Sequence, residues 1–304
     1  MSDLMTNRSA FHNPRVSTLR EALEHKKTLR FMEVTSPLSA LVVEASRARD
    51  EAGHDVEYDG FWSSSLTDST SRGKPDIEIL DIRSRVGNIH EIFENTTRPL
   101  IMDADTGGKV EHFEINVAML EKAGVSAVII EDKTGLKKNS LLGNQVAQIQ
   151  EDPVEFGEKI ARARSVRRSS DFMVIARIES LVLDRGMEDA LSRARQYVEA
   201  GADGIMIHSK SAQSDEVLEF ASIFRKENAR IPLVCVPTTY NRIRFDELQE
   251  AGFNIVIYAN HLLRAAYPAM VKAAAGILQS GRSLEIEEQL FSVDEILRLI
   301  PGTI

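Results

Sequence analysis

Asp103 and Asp105 close the apolar run PLIMDA and the residues just after it, and Glu131 stands near the end of the next such run, AVIIED. Side chains alternate in direction along an extended strand, so the two aspartates are predicted to share one face. Asp76, in a loop after the preceding run, would bring a further carboxylate to the same place. Carboxylates held that close cannot all stay ionised unless a cation balances them. All-oxygen ligands suit a hard ion, Mg2+ or Mn2+, with some of the acids bound through water. The competing reading is that one or two of these acids simply pair with lysines. Arg177 and His208 close two later runs, FMVIARI and DGIMIHS. Arginine presents a planar fork of donors that suits phosphoryl or carboxylate oxygens. His208 alone reads more readily as a structural histidine, but beside an arginine and a metal it reads as a ligand-binding group. The pattern is a metal, an arginine and a histidine around a small anion, a phosphorylated or carboxylated keto or enol acid.

The segment EDKTGLKKNS, residues 131–140, puts dense charge at the mouth of an apolar run. A solvated turn is the plain reading and a catalytic loop the sharper one. Trp62 precedes the serines Ser63, Ser64 and Ser65, and either fills core or walls a pocket. Cys235, the sole cysteine, lies within an apolar run and reads as core. A single cysteine excludes a disulfide framework and a cysteine-rich metal site, and it fits a reducing cytoplasm.

Eight short apolar runs must position these groups, at 29–34, 58–64, 99–104, 127–132, 172–178, 203–209, 232–237 and 254–259. Amphipathic stretches of helical period alternate with them, at 38–48, 114–124, 187–201 and 215–227. Ala123-Gly124, Ala200-Gly201 and Ala251-Gly252 carry a helix C-cap signal just before a strand. Eight such repeats predict a (β/α)8 TIM barrel, whose active-site face is formed by the C-terminal ends of the strands. An open doubly wound sheet fits less well, because no glycine-rich phosphate fingerprint follows the first strand. Residues 1–28 read as a helical lead-in, with a helix over 16–26, and residues 261–304 as a C-terminal helical extension. No low-complexity linker interrupts the chain, so residues 1–304 read as one domain.

With 43% hydrophobic and 27% charged residues among 304, the chain has ample material for a core. Its net charge of −9 argues against non-specific nucleic-acid binding, and no basic cluster with interleaved aromatics is present. No run reaches the roughly 20 apolar residues of a membrane span, and the N-terminal residues lack the apolar stretch of a secretory signal. An anionic substrate would therefore be drawn by a few local cations or a bound metal.

GFWSSSL (60–66), Asp76, DADTG (103–107), EDKTGLKKNS (131–140), ARIES (176–180), GADGIMIHS (201–209), VPTTY (236–240) and YANHLLRA (258–265) together resemble one family. It is the phosphoenolpyruvate mutase branch of the phosphoenolpyruvate mutase/isocitrate lyase superfamily, and the likeness spans residues 28–298. The resemblance implies a barrel whose eighth helix is exchanged with a partner in a homodimer or homotetramer. It implies reversible rearrangement of phosphoenolpyruvate to 3-phosphonopyruvate with Mg2+, in phosphonate biosynthesis, coupled to an enzyme that consumes phosphonopyruvate. Carried onto matching positions, Asp103 would contact the metal directly, and Asp76, Asp105 and Glu131 would act through its waters. Groups around Ser64, Ser65 and Leu66 would hold the substrate carboxylate and keto oxygen, with Trp62 packing on the substrate. Arg177 and His208 would hold the phosphoryl group. Lys137, Asn139 and Ser140 would lie on a mobile lid, with Asp132 and Lys133 opening its hinge.

A loose, metaphosphate-like transition state needs positioning and exclusion of water more than covalent help. Asn139 would hydrogen-bond a phosphoryl oxygen without offering a base to activate water. The nearest rival is a phosphonopyruvate hydrolase, a branch that carries Thr at the position of Asn139. The lyases of the superfamily use a catalytic cysteine in this loop, where the present chain has Lys137-Lys-Asn-Ser. A metal-binding scaffold without turnover is the reading from another class, and it is disfavoured because each expected position holds a competent residue. Two departures stand out: Ser65 where many members have Gly, and Thr134-Gly135-Leu136 after EDK.

Overall fold

The computed structural model describes residues 13–300 and 302, so positions 1–12 of the predicted lead-in lie outside the described residues. All eight apolar runs form strands: β1 Leu29–Glu33, β2 Gly60–Ser63, β3 Leu100–Asp103, β4 Ala127–Glu131, β5 Met173–Ile178, β6 Gly204–Ile207, β7 Leu233–Cys235 and β8 Ile255–Tyr258. They form a closed barrel in which every strand pairs in parallel with its sequence neighbours and β1 closes onto β8. Nearly every strand position is buried, as expected when side chains on one face fill the barrel and those on the other meet helices. Leu29 and Phe31, Ala127 and Ile129, Met173 and Ile175, and Ile255 and Ile257 share one core cluster. Their spacing of two is the strand period, so these are the inward-facing sets.

The lead-in helix α1, Pro14–His25, starts with proline at its first position and the Asn13 side chain accepting from Arg15 N at 3.1 Å. Leu19 from α1 joins the barrel core cluster, so the lead-in packs into the barrel. The return helices are α2 Pro37–Ala45, α4 Ile82–Asn95, α5 Val110–Ala123, α6 Pro153–Val166, α7 Met187–Glu199, α8 Asp215–Glu227 and α9 Phe245–Glu250, with the short α3 Ser65–Ser71 directly after β2. Gly124, Gly201 and Gly252 have φ of 97°, 100° and 94°, the left-handed conformation predicted for the Ala-Gly helix ends. An exposed hairpin of residues 47–49 and 55–57 carries no signal in the alternating pattern and was not predicted.

The chain divides into two compact units, Met1–Asn260 and His261–Ile304. The second holds α10 His261–Ser280, a 3-10 turn Leu284–Gln289 and α11 Val293–Leu299, so the predicted C-terminal extension is helical. No residue of α10 is buried, although Tyr267, Met270, Val271 and Leu278 lie along it. Among the described residues, no helix is long and apolar enough to cross a membrane.

Candidate active site

The strand ends meet around a cavity of about 60 Å3, lined by Trp62, Ser64, Ser65, Leu66, Asp76, Asp103, Glu131, Lys137, Asn139, Ser140, Arg177 and His208. That space admits roughly four to six waters, the scale of a small acid. Parallel register accounts for much of the convergence, since Glu131 pairs with Arg177 at the ends of β4 and β5. Asp105 is the one predicted site residue outside the lining. Strand alternation does not place it, because β3 ends at Asp103 and Asp105 has a φ of 56°. Asp105 instead turns beyond the strand, where its carbonyl accepts from Glu131 N at 2.8 Å and its amide donates to Asp103 Oδ1 at 3.1 Å. Aspartate is among the few residues that tolerate this left-handed conformation.

Lys137, on the loop after β4, reaches into this acidic group. Its ammonium bonds Asp76 Oδ1 at 2.9 Å and Ser65 Oγ at 2.5 Å, and it pairs with Asp105. Ser65 donates through its hydroxyl to Asp103 Oδ2 at 2.8 Å, and through its amide at 3.3 Å. Both Ser65 donors are thus engaged by Asp103. Asn139 donates to Asp76 Oδ2 at 3.1 Å while its own oxygen accepts from Leu141 N at 3.0 Å. Asp76 is therefore the point on which this loop rests. Burial alone would raise the Asp103 carboxyl, but Lys137, Arg177 and Arg85 outweigh it and hold it at about 2. Burial and the neighbouring Asp103 push Asp105 up to about 6, against the pull of Lys137. Burial, with Glu179 nearby, pushes Glu131 up to about 7 despite Arg177 and Lys133.

On the opposite wall, Arg177 Nη2 donates to Ser140 Oγ at 2.6 Å and lies 3.2 Å from Glu131 Oε2. Its Nε donates to Glu179 Oε1 at 2.6 Å. The Nδ1 of His208 sits 3.0 Å from Arg177 Nη2 and 3.2 Å from Glu179 Oε1, which leaves Nε2 for a ligand. Burial and Arg177 lower the proton affinity of this imidazole. Trp62 is buried with its indole N–H unpartnered, and it belongs both to the core cluster and to the cavity wall.

Several supporting residues play parts that the sequence reading did not give them. Lys133 and Asp132, expected to open the hinge of this loop, are buried anchors, 3% and 0% exposed. The Lys133 ammonium donates to Lys138 O, Ser140 Oγ and Gln148 Oε1, each at 2.9 Å, tying the lid to the barrel rim. Asp132 accepts from Glu179 N at 2.9 Å and Tyr197 Oη at 2.8 Å, and pairs with Arg193 at 3.2 Å. Buried Arg85 bonds Asp68 Oδ2 and Ser63 O, each at 2.8 Å, as well as Asp103 O, joining the ends of β2 and β3. The EDK and ARIES motifs contain Asp132, Lys133 and Glu179, whereas Arg85, Arg193 and Tyr197 lie in no quoted motif. The Thr134-Gly135-Leu136 stretch is exposed and turns through Gly135 at φ 80°, a conformation that glycine adopts without strain.

The donor chemistry fits a hard divalent cation. Glu131 Oε1 is buried without a hydrogen-bond partner, although the Lys133 ammonium lies 3.2 Å away, and Asp105 and Glu131 carry charge that burial disfavours. Among the described residues no three acidic, histidine or cysteine groups form a ready-made cage. Oxygen donors such as Asp103 and Glu131 suit Mg2+, which usually takes one or two carboxylates and keeps several waters.

A sequence-family model described as phosphoenolpyruvate phosphomutase matches residues 19–278. Phosphonopyruvate hydrolase of Variovorax sp. (strain Pal2) is 36% identical over 286 residues, covering 92% of this chain and 93% of its own. The crystal structure of phosphoenolpyruvate phosphomutase from Streptomyces platensis subsp. rosaceus superposes with a TM-score of 0.83 at 36% identity, over 93% of this chain and 94% of that one. A phosphonopyruvate hydrolase complex with oxalate and Mg++ gives a TM-score of 0.81 at 34% identity, over 94% of each chain. Mutase and hydrolase relatives both fall within 32–36% identity, and overall identity does not separate the two activities. With the family model matched over most of its length, a parallel (β/α)8 barrel, and Asp103, Glu131, Arg177 and His208 converging at the strand ends, the chain belongs to the phosphoenolpyruvate phosphomutase family.

Proposed function

We propose that the protein is a Mg2+-dependent isomerase that interconverts phosphoenolpyruvate and 3-phosphonopyruvate. The observation that carries this reading is the lid: Asn139 and Lys137 rest on Asp76, and the position facing the cavity holds an amide where the hydrolase branch carries Thr. From phosphonopyruvate, the P–C bond breaks and its electron pair stays with carbon as the pyruvate enolate. The enolate oxygen then takes the phosphoryl group, so atoms balance with no water consumed. Arg177 and the Nε2 of His208 hold the phosphoryl oxygens through the transfer, and Trp62 packs against the carbon skeleton. The Ser64-Ser65-Leu66 segment holds the carboxylate end, with Ser65 tying it to Asp103. When bound, Mg2+ would be held by Asp103 directly and by Asp76, Asp105 and Glu131 through water, and it supplies stabilisation of the charge that develops on the enolate. Mn2+ fits the same oxygen donors. The lid excludes the water that would otherwise capture the phosphoryl group.

A second reading is phosphonopyruvate hydrolase, the activity of the Variovorax relative, which is 36% identical. Phosphorus NMR of phosphonopyruvate incubated with protein and Mg2+ separates them. Phosphoenolpyruvate is expected; phosphate with pyruvate would establish the hydrolase, and no change would reject both. The exposed apolar residues of α10 support a homodimer or homotetramer in which this helix is exchanged with a second copy. Because the P–C compound is the less stable isomer, net phosphonate synthesis needs a partner enzyme that removes phosphonopyruvate, such as a decarboxylase. The single buried thiol suits a cytoplasmic setting for this chemistry.

A further inference from the structure

Asp76 receives both Lys137 and Asn139, yet it stands in an irregular segment between α3 and α4, where no ladder or helix fixes its position. Two residues on, the Glu78 carboxylate accepts from Thr106 N at 2.8 Å and from Thr106 Oγ1 at 2.6 Å. Thr106 is itself pinned. Lys159 of α6 donates to its carbonyl at 2.9 Å, and Gly108 N donates to its hydroxyl at 3.1 Å. Lys159 is buried and paired with Glu151 at 2.9 Å, so this anchor belongs to the body of the barrel. Glu78 holds a left-handed backbone, φ 60°, which its β-carbon disfavours, so the two bonds to Thr106 must outweigh a local cost.

We propose that Glu78 is a positioning residue: by clamping its segment to Thr106 it sets Asp76 where the lid must land, and so governs how completely the lid shuts. The consequence for product rests on the rearrangement reading, because there a lid that fits poorly lets water compete for the phosphoryl group. Glu78 does not line the cavity, which makes its influence indirect, through Asp76. Glutamine keeps an oxygen at the same reach that accepts both bonds, whereas alanine keeps neither.

The test compares Glu78→Ala, Glu78→Gln and Thr106→Val in the full-length protein. The first readout is tryptic nicking after Lys137 and Lys138, which are buried and half-buried when the lid is down. Loss of one charge-assisted bond raises the open population, and with it the nicking rate, roughly tenfold. Thr106→Val, which loses one of the two bonds, is expected to nick about tenfold faster, Glu78→Ala, which loses both, faster still, and Glu78→Gln to return near the unaltered rate. The second readout is the share of phosphate released from phosphonopyruvate with Mg2+, expected to rise in the same order. Unchanged nicking in Glu78→Ala overturns the proposal, and so does a Gln variant as labile as the Ala variant. If the unaltered protein itself yields phosphate and pyruvate, the rearrangement reading fails, and nicking alone then decides the role of Glu78.

Discussion

Replacing Glu179 by glutamine probes the electrostatic frame of the site without changing its volume. Glu179 is 0% exposed and lies among cations: Arg177 Nε at 2.6 Å and Lys133 Nζ at 3.5 Å, with Ser140 donating to its second oxygen. Glu131 is the other buried acid of this group, 3.2 Å from both Lys133 and Arg177, so two cations face two carboxylates. Burial by itself would raise the Glu179 carboxyl, but Arg177, Lys133 and His208 hold it well below the usual range. Glu179→Gln leaves one buried positive charge in excess, and the amide NH2 meets a donor whichever way it is turned. Breaking a buried pair costs about 3–5 kcal/mol, and the lower end applies because both cations keep Glu131. About 3 kcal/mol lowers the thermal midpoint of a chain of this size by roughly 6 °C. Arg177 also loses the bond that aims its fork, and displacement of a substrate-positioning group costs roughly 100-fold in turnover. Because the folded-state pKa is depressed, the stabilisation is present above the unfolded-state value and is lost only as pH falls through the folded one. The gap between variant and unaltered protein should therefore be flat above about pH 5. Thermal or urea unfolding over that range, with the phosphorus NMR assay, measures both effects. A variant with an unshifted midpoint and full turnover would refute the reasoning.

Asn139→Thr shortens the side chain that reaches Asp76, and the share of phosphonopyruvate released as phosphate should rise roughly tenfold, the cost of one bond to a charged group. An unchanged product ratio would remove Asn139 from control of the outcome. Asp103→Ala should abolish Mg2+-dependent turnover, and undiminished activity in that variant rejects the metal assignment. Arg85→Leu should cost about 3 kcal/mol in urea unfolding, since it leaves Asp68 buried with its principal cation removed. Cys235 is fully buried and its thiol is pushed well up by that burial, so a thiol reagent should label it only after unfolding.

The barrel was legible because its strands are local objects. Each is a short apolar run bounded by polar residues or an Ala-Gly helix end, and eight in succession leave few alternatives to closure. The positions of Asp103, Glu131, Arg177 and His208 followed, since a residue at the C-terminal end of a parallel strand has only one place to be. The motif likeness supplied Asp76 and the lid, which no periodicity marks. Asp105 came to the site by a route other than the one predicted: a left-handed turn beyond the strand, not alternation along it. What remained hidden is the set of polar pairs beneath the site. Glu179 with Ser140, Asp132 with Tyr197, Arg85 with Asp68 and Glu78 with Thr106 join residues 39, 65, 17 and 28 positions apart. Such partners share no local pattern, because each pairing depends on which helix packs where and on the low dielectric that makes an unpaired buried charge intolerable. The linear order of residues thus determined the scaffold and the chemistry offered at its rim. The tertiary structure alone decided which charges neutralise one another and where the lid comes to rest.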